Sequence, residues 1–290
     1  MKFSIIIPTI GRETLTQVLE GITQCTDYKS IDPEVLVVWD GEAKYQISDI
    51  RYQKVKVLET GTKVYAGGAR NLGLEYARGD IVIFISDDTI PTKSWLQKIY
   101  KFHVLNPQKE KALLGKINWT SELQKDSFHR WLLDHGQFNF KELGVRSMGQ
   151  GESFHAPYLI PHTPYRYFYT SNISVKRALI EDERFDLQFE GWGFEDGEFG
   201  YRLQKKGMKL YYDQSCKVSH DHRLTLEDLK KNTTNAKKNA EIFEKLHPEI
   251  KIRPRGLKRW ILLLVIWFFQ PFGVLNRKLA WWCEWKKAWV

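Results

Sequence analysis

A chain of 290 residues with 42% hydrophobic content has material for one large α/β domain plus an extension, and no repeat or low-complexity run points to a solenoid or to disorder. A net charge of +9 admits nucleic acid, an anionic membrane or phosphate-bearing ligands as partners, so the placement of the charge decides among them. Three cysteines, Cys25, Cys216 and Cys283, with no CxxC spacing argue against a disulfide framework or a zinc site and fit a reducing compartment.

The first apolar run, residues 3–7, stops at Pro8-Thr9. It is shorter than a secretory core of about 7–15 residues, so the chain is expected to start directly with its fold, on a strand buried on both faces. Residues 13–22 have helical spacing at Leu15, Val18, Leu19 and Ile22, and residues 34–39 predict a second buried strand ending at Asp40-Gly41. Residues 55–58 predict a third strand, residues 66–76 a loop feeding a helix, and residues 81–85 a fourth strand closed by Ser86-Asp87-Asp88. Strands alternating with helices imply an α/β fold with a parallel, doubly wound sheet. Ligands bind such sheets outside the carboxyl ends of the strands, where Asp40, Asp87 and Asp88 stand.

Residues 95–104 predict another helix, and the looser stretch 121–169 reads as acceptor-side loops. Residues 175–180 and 199–203 have helical spacing, 209–212 and 216–219 read as short strands, and 226–246 as a polar-faced helix. From Arg253 the composition changes sharply, which places a boundary near Pro254.

Two adjacent carboxylates after a buried strand resist joint ionisation unless a positive charge compensates them. A divalent cation bridging to a diphosphate would do so, and hard oxygen ligands suit Mg²⁺ or Mn²⁺; an Asp pair capping the next helix is the structural alternative, at even odds on this motif alone. Further on, Gly191-Trp192-Gly193-Phe194-Glu195-Asp196 precedes Phe199, Arg202 and Leu203 at helical spacing. The glycines let the backbone bend so that the indole faces a sugar, and the carboxylates fall at a helix N-terminus, where the macrodipole favours their charge. A short strand then ends in Val218-Ser219-His220-Asp221-His222, offering a histidine as a third metal ligand.

These pieces match a family in order: IIIPTIGR, VLVVWDG, GGARNLGLEYARGDIVIFISDDTIP, YTSNISVKRALIEDERFD, GWGFEDGEFGYRLQKKG and VSHDH. Over about residues 3–222 the chain resembles the family 2 inverting glycosyltransferases of the GT-A fold, a Rossmann-like, mostly parallel sheet flanked by helices. The GWGFED stretch is similar to the beta-1,4-galactosyltransferases and the bacterial chondroitin polymerase modules. The resemblance implies a UDP-sugar donor, a glycan acceptor and a Mn²⁺ or Mg²⁺ cofactor. It puts Pro8, Thr9 and Asp40 on the uracil and ribose, Arg12 and Arg70 beside the nucleotide, and Ser86-Asp87-Asp88 at the DxD motif. There Asp87 falls near the ribose and Asp88 on the metal, with Ser86 replacing the usual first Asp. Trp192 and Glu195 fall on the donor and acceptor sugars, Asp196 on the catalytic base and His220 on the metal, with His222 its rival. A nucleoside diphosphate leaves without a proton when its charge is neutralised, so one carboxylate suffices as base and direct displacement inverts the anomeric centre.

The expected organisation is a GT-A catalytic domain over 1–225, a connecting helix over 226–252 and membrane-associating amphipathic helices over 253–290. Residues 260–269 are intensely apolar but end at Gln270-Pro271, short of the roughly 20 residues of a spanning helix. Six of the 11 tryptophans lie in this tail, and the last four, at 281, 282, 285 and 289, share one helical face. With flanking Arg253, Arg255, Lys258, Arg259, Arg277 and Lys278 this is the pattern of an in-plane anchor, peripheral on the cytoplasmic face, with a lipid-linked acceptor. The alternative is a helical hairpin packed on the catalytic domain or a homodimer interface. Basic residues gathered near the C-terminus disfavour nucleic acid. A nucleotidyltransferase lacks its Gly-rich loop after the first strand, and a non-catalytic sugar-nucleotide-binding or scaffold protein is the other reading.

Overall fold

The computed structural model describes residues 1–43, 55–135, 157–274 and 276–287. They fall into two compact units, the first of Met1–Thr120, Phe140–Leu187 and Asp196–His222, the second of Ser121–Asn139, Gln188–Glu195 and Arg223–Val290.

The first unit opens with β1 (Phe3–Thr9), α1 (Thr14–Thr23) and the single turn α2 (Tyr28–Ile31). It continues through β2 (Glu34–Trp39), β3 (Val55–Glu59), α3 (Tyr65–Tyr76), β4 (Ile81–Ile85), β5 (Thr89–Pro91), α4 (Trp95–Leu105) and β6 (Lys111–Trp119). In α1 the four apolar residues picked out by their spacing are the buried ones. β1 runs through Pro8, which pairs with Val38 of β2, because the ladder with β4 has already ended at Ile6 and the missing N–H leaves no bond unmade there. The sheet order β3-β2-β1-β4 is parallel throughout, so the chain reverses its direction of travel across the sheet between β1 and β4.

Several elements differ from the sequence expectation. Gly67 and Gly68 lie inside α3 rather than in a loop before it. A Cβ on Gly68 would come within 2.5 Å of Val64, and one on Gly73 within 2.5 Å of Ile6, so these glycines set close helix and sheet packing. Residues 111–119, with no predicted element, form β6, whose register shifts after Gly115. The expected helix at 175–180 is helical over α6 (Arg177–Ile180), but its first two residues, Val175 and Lys176, close an unpredicted strand, β8 (Asn172–Lys176), antiparallel to both β4 and β6. Its polar residues face inward and are satisfied there: Trp95 Nε1 donates to Asn172 at 2.8 Å, and Ser174 lies 2.9 Å from His103 Nε2. That inverted polarity hid the strand.

The two expected short strands are one, β9 (Lys209–His220), parallel to β6 and antiparallel to β5 and β7 (Tyr158–Leu159). Of the expected loops at 121–169, residues 123–125 and 164–167 form 3₁₀ turns and α5 (Ser127–His135) is a helix, while 136–156 lie outside the described residues. α7 (Glu195–Lys205) carries Phe199 and Leu203 into the core, which also holds Ile6, Leu36, Phe84, Leu114 and Phe185.

The second unit contains α5, the long α8 (Leu226–Leu246), α9 (Leu257–Phe269) and α10 (Arg277–Lys287). A reciprocal capping box between Thr225 and Asp228 starts α8. Burial works against the charge of Glu244 near its end. Arg253 and Arg255 side chains and the Ile252 and Arg253 amides outweigh that and hold the carboxyl at about 2. Arg253 and Arg255 are therefore engaged with Glu244 and do not lie free beside the apolar run.

The tail tryptophans divide. Trp260 and Trp267 of α9 are exposed, at 66% and 75%. Trp281 of α10 is buried against Phe128 and Trp131, and Trp285 meets Trp192 edge-on at 6.2 Å. Trp281 and Trp285 of the expected indole face thus pack within their own unit, while Trp289 lies outside the described residues. Among the described residues no helix is long and apolar enough to cross a membrane.

Candidate functional site

The carboxyl ends of β1 and β4 meet where the sheet changes direction, the place at which doubly wound sheets bind ligands. Thr9 ends β1, and its hydroxyl donates to Asp87 Oδ2 at 2.7 Å while accepting the Gly11 amide at 2.9 Å. Gly11 takes a left-handed φ of 87°, which turns the chain so that Arg12 points back at the aspartates. Arg12 Nε lies 3.2 Å from Asp87 Oδ1 and 3.7 Å from Asp88 Oδ2. The adjacent carboxylates thus have their positive charge from within the chain.

From the far side, β9 and the residues after it bring two imidazoles. His220 Nε2 lies 3.4 Å from Asp88 Oδ1, and His222 Nδ1 lies 3.5 Å from Asp88 Oδ2. Arg12 Nη1 donates towards His222 Nε2 at 3.2 Å. β5 holds this edge in register, with Thr89 opposite His220, and Trp119 packs edge-on against the His220 ring at 4.9 Å.

The two carboxylates differ electrostatically. Burial, reinforced by the Asp88 charge, outweighs Arg12 and Thr9 and pushes Asp87 up to about 6. For Asp88 burial also works against ionisation, but His220, Arg12 and His222 together hold it below its ordinary value. Asp88 is therefore the stronger acid of the pair.

A further carboxylate stands at the start of a helix, beside the residues that lead into β8. Asp196, in the first turn of α7, accepts from the Thr170 amide at 2.9 Å, from the Thr170 hydroxyl at 2.8 and 2.7 Å, and from Arg70 Nη1 at 3.2 Å. Arg70 comes from α3 and is itself buried. Ser86 Oγ and Ser171 Oγ, 2.9 Å apart, join the two groups across the β4–β8 pair, because Ser86 follows β4 where Ser171 precedes β8. Of the remaining predicted residues, Pro8 is buried in β1, and Asp40 Oδ1 accepts from the Val64 and Tyr65 amides at 2.5 and 3.0 Å, opening α3.

Trp192 and Glu195 belong to the second unit, and both are half-buried. Gly191, Gly193 and Phe194 all have left-handed φ, of 71°, 100° and 72°. Asn239 of α8 holds this bend by donating to the Glu190 and Gly193 carbonyls at 3.0 and 2.8 Å. A Cβ on Gly191 would come within 2.4 Å of Asn235. Sequence reasoning assigned no role to Thr170, Ser171 or Asn239; the first two lie in the YTSN run that it did single out.

Among the described residues no three Asp, Glu, His or Cys side chains are already set around one cation position. The donors are of the right kind nonetheless. Asp88 lies within 3.5 Å of both imidazoles, and its hard carboxylate oxygens are of the kind that Mg²⁺ and Mn²⁺ take.

Residues 4–109 match glycosyl transferase family 2. The chain is 27% identical over 228 residues to the chondroitin synthase of Escherichia coli, a match covering 70% of this chain and 32% of that protein, so the chain spans about a third of that relative's length. In structure it is similar to S. aureus TarS 1–349 in complex with UDP-GlcNAc, with a TM-score of 0.56 at 18% identity over 99% of this chain and 79% of that one. It is similar also to GalNAc-T7 with UDP, GalNAc and Mn²⁺, with a TM-score of 0.57 at 16% identity over 88% and 52%. The expected GT-A architecture is thereby established.

Proposed function

We propose that this chain, a family 2 glycosyltransferase of the GT-A fold, moves a hexose or N-acetylhexosamine from a UDP-sugar to a glycan hydroxyl in a metal-dependent, inverting displacement. One observation carries the reading. Thr9, Arg12, Asp87, Asp88 and two histidines converge at the switch point of the sheet, and the Ser86–Ser171 contact ties them to a second, separately held carboxylate, Asp196. The UDP-GlcNAc bound to TarS and the UDP and Mn²⁺ bound to GalNAc-T7 support the same donor and ion here.

Asp88 with His220 or His222 would hold the cation, which when bound neutralises charge on the leaving diphosphate. Arg12 adds a fixed positive charge beside it. Asp87 has both oxygens engaged, by Arg12 and Thr9, so a ribose contact there requires Arg12 to swing toward the phosphates. Asp40 keeps Oδ2 for the nucleoside while Oδ1 caps α3.

Asp196 takes the proton of the acceptor hydroxyl. Thr170 and Arg70 fix its rotamer, and a carboxylate offers about four lone-pair sites, so these three donors leave one for the acceptor. With one carboxylate as base and no second one as nucleophile, the sugar is displaced once and its anomeric configuration inverts.

In the same reading the protein is peripheral on the cytoplasmic face of a membrane and its acceptor is lipid-linked. The exposed indoles and leucines of α9, with Lys258 and Arg259 in its first turn, support this. Calorimetry of UDP with Mn²⁺ and with chelator, followed by NMR of the glycoside product, tests the chemistry. Mn²⁺-dependent affinity and an inverted product are expected; affinity indifferent to the ion, or a retained configuration, overturns it.

A further inference from the structure

Within the second unit, α5 and α10 border an open cavity of 660 Å³. Its walls include Arg130, Trp131 and His135 from α5, and Lys278 and Trp282 from α10, with Asn276 at the start of α10. Among the described residues no acidic side chain lines it. Among the described residues no carboxylate lies within ion-pair distance of Arg130 or Lys278, whereas Arg253, Arg255 and Lys287 of the same unit are all paired. Two uncompensated cations from different helices therefore face one cleft.

The local backbone donors at this cleft are already taken. Asp126 Oδ1 accepts the Phe128 and His129 amides, and Asn276 Oδ1 accepts those of Lys278 and Leu279. What remains for a ligand is side-chain: the guanidinium fork of Arg130, the ammonium of Lys278, the Asn276 amide and the Ser127 hydroxyl. Such a set of N–H and O–H donors, two of them charged, matches the oxygens of a phosphate. The indoles of Trp131 and Trp282 add apolar walls, and His135 is stacked on Trp131 with centroids 5.1 Å apart.

The source of that phosphate follows from α9. Leu257, Trp260, Leu264 and Trp267 are 75%, 66%, 62% and 75% exposed. A helix of 13 residues is about 20 Å long, short of the roughly 30 Å hydrocarbon core, so it can lie in an interface and not cross it. The turn Gln270–Val274 leads from α9 into α10, and a Cβ on its Gly273 would come within 3.0 Å of Ala280, so the turn is closely packed on the helix that carries Lys278. An apolar helix and a cationic cleft on consecutive elements are complementary to a molecule with an apolar tail and an anionic head.

We propose that the cleft between α5 and α10 binds the phosphate headgroup of an anionic lipid while α9 lies in the bilayer interface; the proposal rests on the membrane reading above. A free acidic glycan would meet the cations equally well but would leave the exposed face of α9 without a partner.

The test uses the full chain and vesicles of phosphatidylcholine doped with phosphatidic acid or, at equal surface charge, phosphatidylglycerol. The protein should sediment with both and favour the phosphomonoester of phosphatidic acid. R130A/K278A should lower its partitioning onto phosphatidic acid about tenfold, leave phosphatidylglycerol binding within about twofold, and leave UDP-sugar hydrolysis unchanged. R130K/K278R, which keeps the charge, should restore the preference. W260S/W267S should lose both vesicle types. A titration of Trp fluorescence with a short-chain phosphatidic acid below its micelle concentration separates the two readings. Binding there that R130A/K278A weakens tenfold supports the cleft even if vesicles fail to bind. Vesicle binding that R130A/K278A leaves untouched overturns the cleft and spares α9. Equal affinity for inorganic phosphate, or for an acidic oligosaccharide, overturns the lipid assignment.

Discussion

The two carboxylate groups of the candidate site are built on opposite principles. Asp87 and Asp88 are sequestered, with side chains 8% and 7% exposed, and stand together only because Arg12 and two histidines surround them. Asp196 is 22% exposed, single, and held through a backbone amide, a hydroxyl and one guanidinium. A crowded, compensated pair is ready to exchange its internal cation for an external one. A lone, oriented carboxylate with an open lone pair suits proton transfer. Closeness of like charges made the first group and local hydrogen bonding made the second.

The largest expected effect breaks that contrast at its simpler end. Asp196→Asn keeps the shape and removes the proton acceptor, so turnover should fall by roughly 10²–10⁴ with UDP affinity unchanged in calorimetry. Residual activity within a few-fold of wild type would move the base elsewhere, with Glu195 the first residue to test. Asp88→Ala attacks the other group. UDP affinity in Mn²⁺ should drop at least about tenfold, some 1.4 kcal/mol, to the level seen with chelator. Wild-type affinity in that variant would remove the metal assignment. His220→Ala against His222→Ala then decides which imidazole matters, and the greater loss is expected at His220, the more buried of the two.

Thr170→Val sharpens the comparison more gently. It deletes the hydroxyl bonds to Asp196 and leaves the amide bond, so kcat should fall about tenfold with KM little changed. A rise in KM alone would show that Thr170 positions substrate and not the base.

A third carboxylate gives the smallest effect and serves as an outside control. Glu244, held at about 2 in the folded chain, titrates near 4.5 when unfolded. Its depressed value makes its contribution to stability complete above about 4.5 and lost as pH falls toward about 2. Glu244→Gln should lower the melting temperature at pH 7 and flatten its dependence on pH across that window, with kcat unaffected. An unchanged acid profile would mean that the Arg253 and Arg255 contacts persist without the charge.

Much of this was legible in the residues. The apolar runs that became β1, β2 and β4 are buried on both faces and carry no competing polar pattern, so their strand character and the Asp residues that follow β2 and β4 were read directly. β8 was not legible, because Asn172, Ser174 and Lys176 face inward toward α4 side chains and imitate a surface pattern. β6 was broken by Gly115, where an added Cβ would meet Asn172 at 2.2 Å, a reason that exists only once two distant strands are side by side.

The tail shows the same division within one composition. Its tryptophans and basic residues mark a segment of distinct composition, but they do not say which helix turns outward. Trp281 finds Phe128 and Trp131 about 150 residues away in the chain, and Arg253 finds Glu244 nine residues back, across the end of α8. The exposed face is left to α9.

The sequence by itself determined the parallel core and the strand-end carboxylates, because burial periodicity and motif spacing are local properties, and the candidate base followed from the family resemblance of its motif. Only the tertiary structure decided that Arg12 compensates the aspartates, that Thr170 and Arg70 orient Asp196, and which tail helix stays uncovered. Those outcomes depend on hydrogen bonds, ion pairs and packing between residues far apart in the chain, whose directions no local pattern encodes.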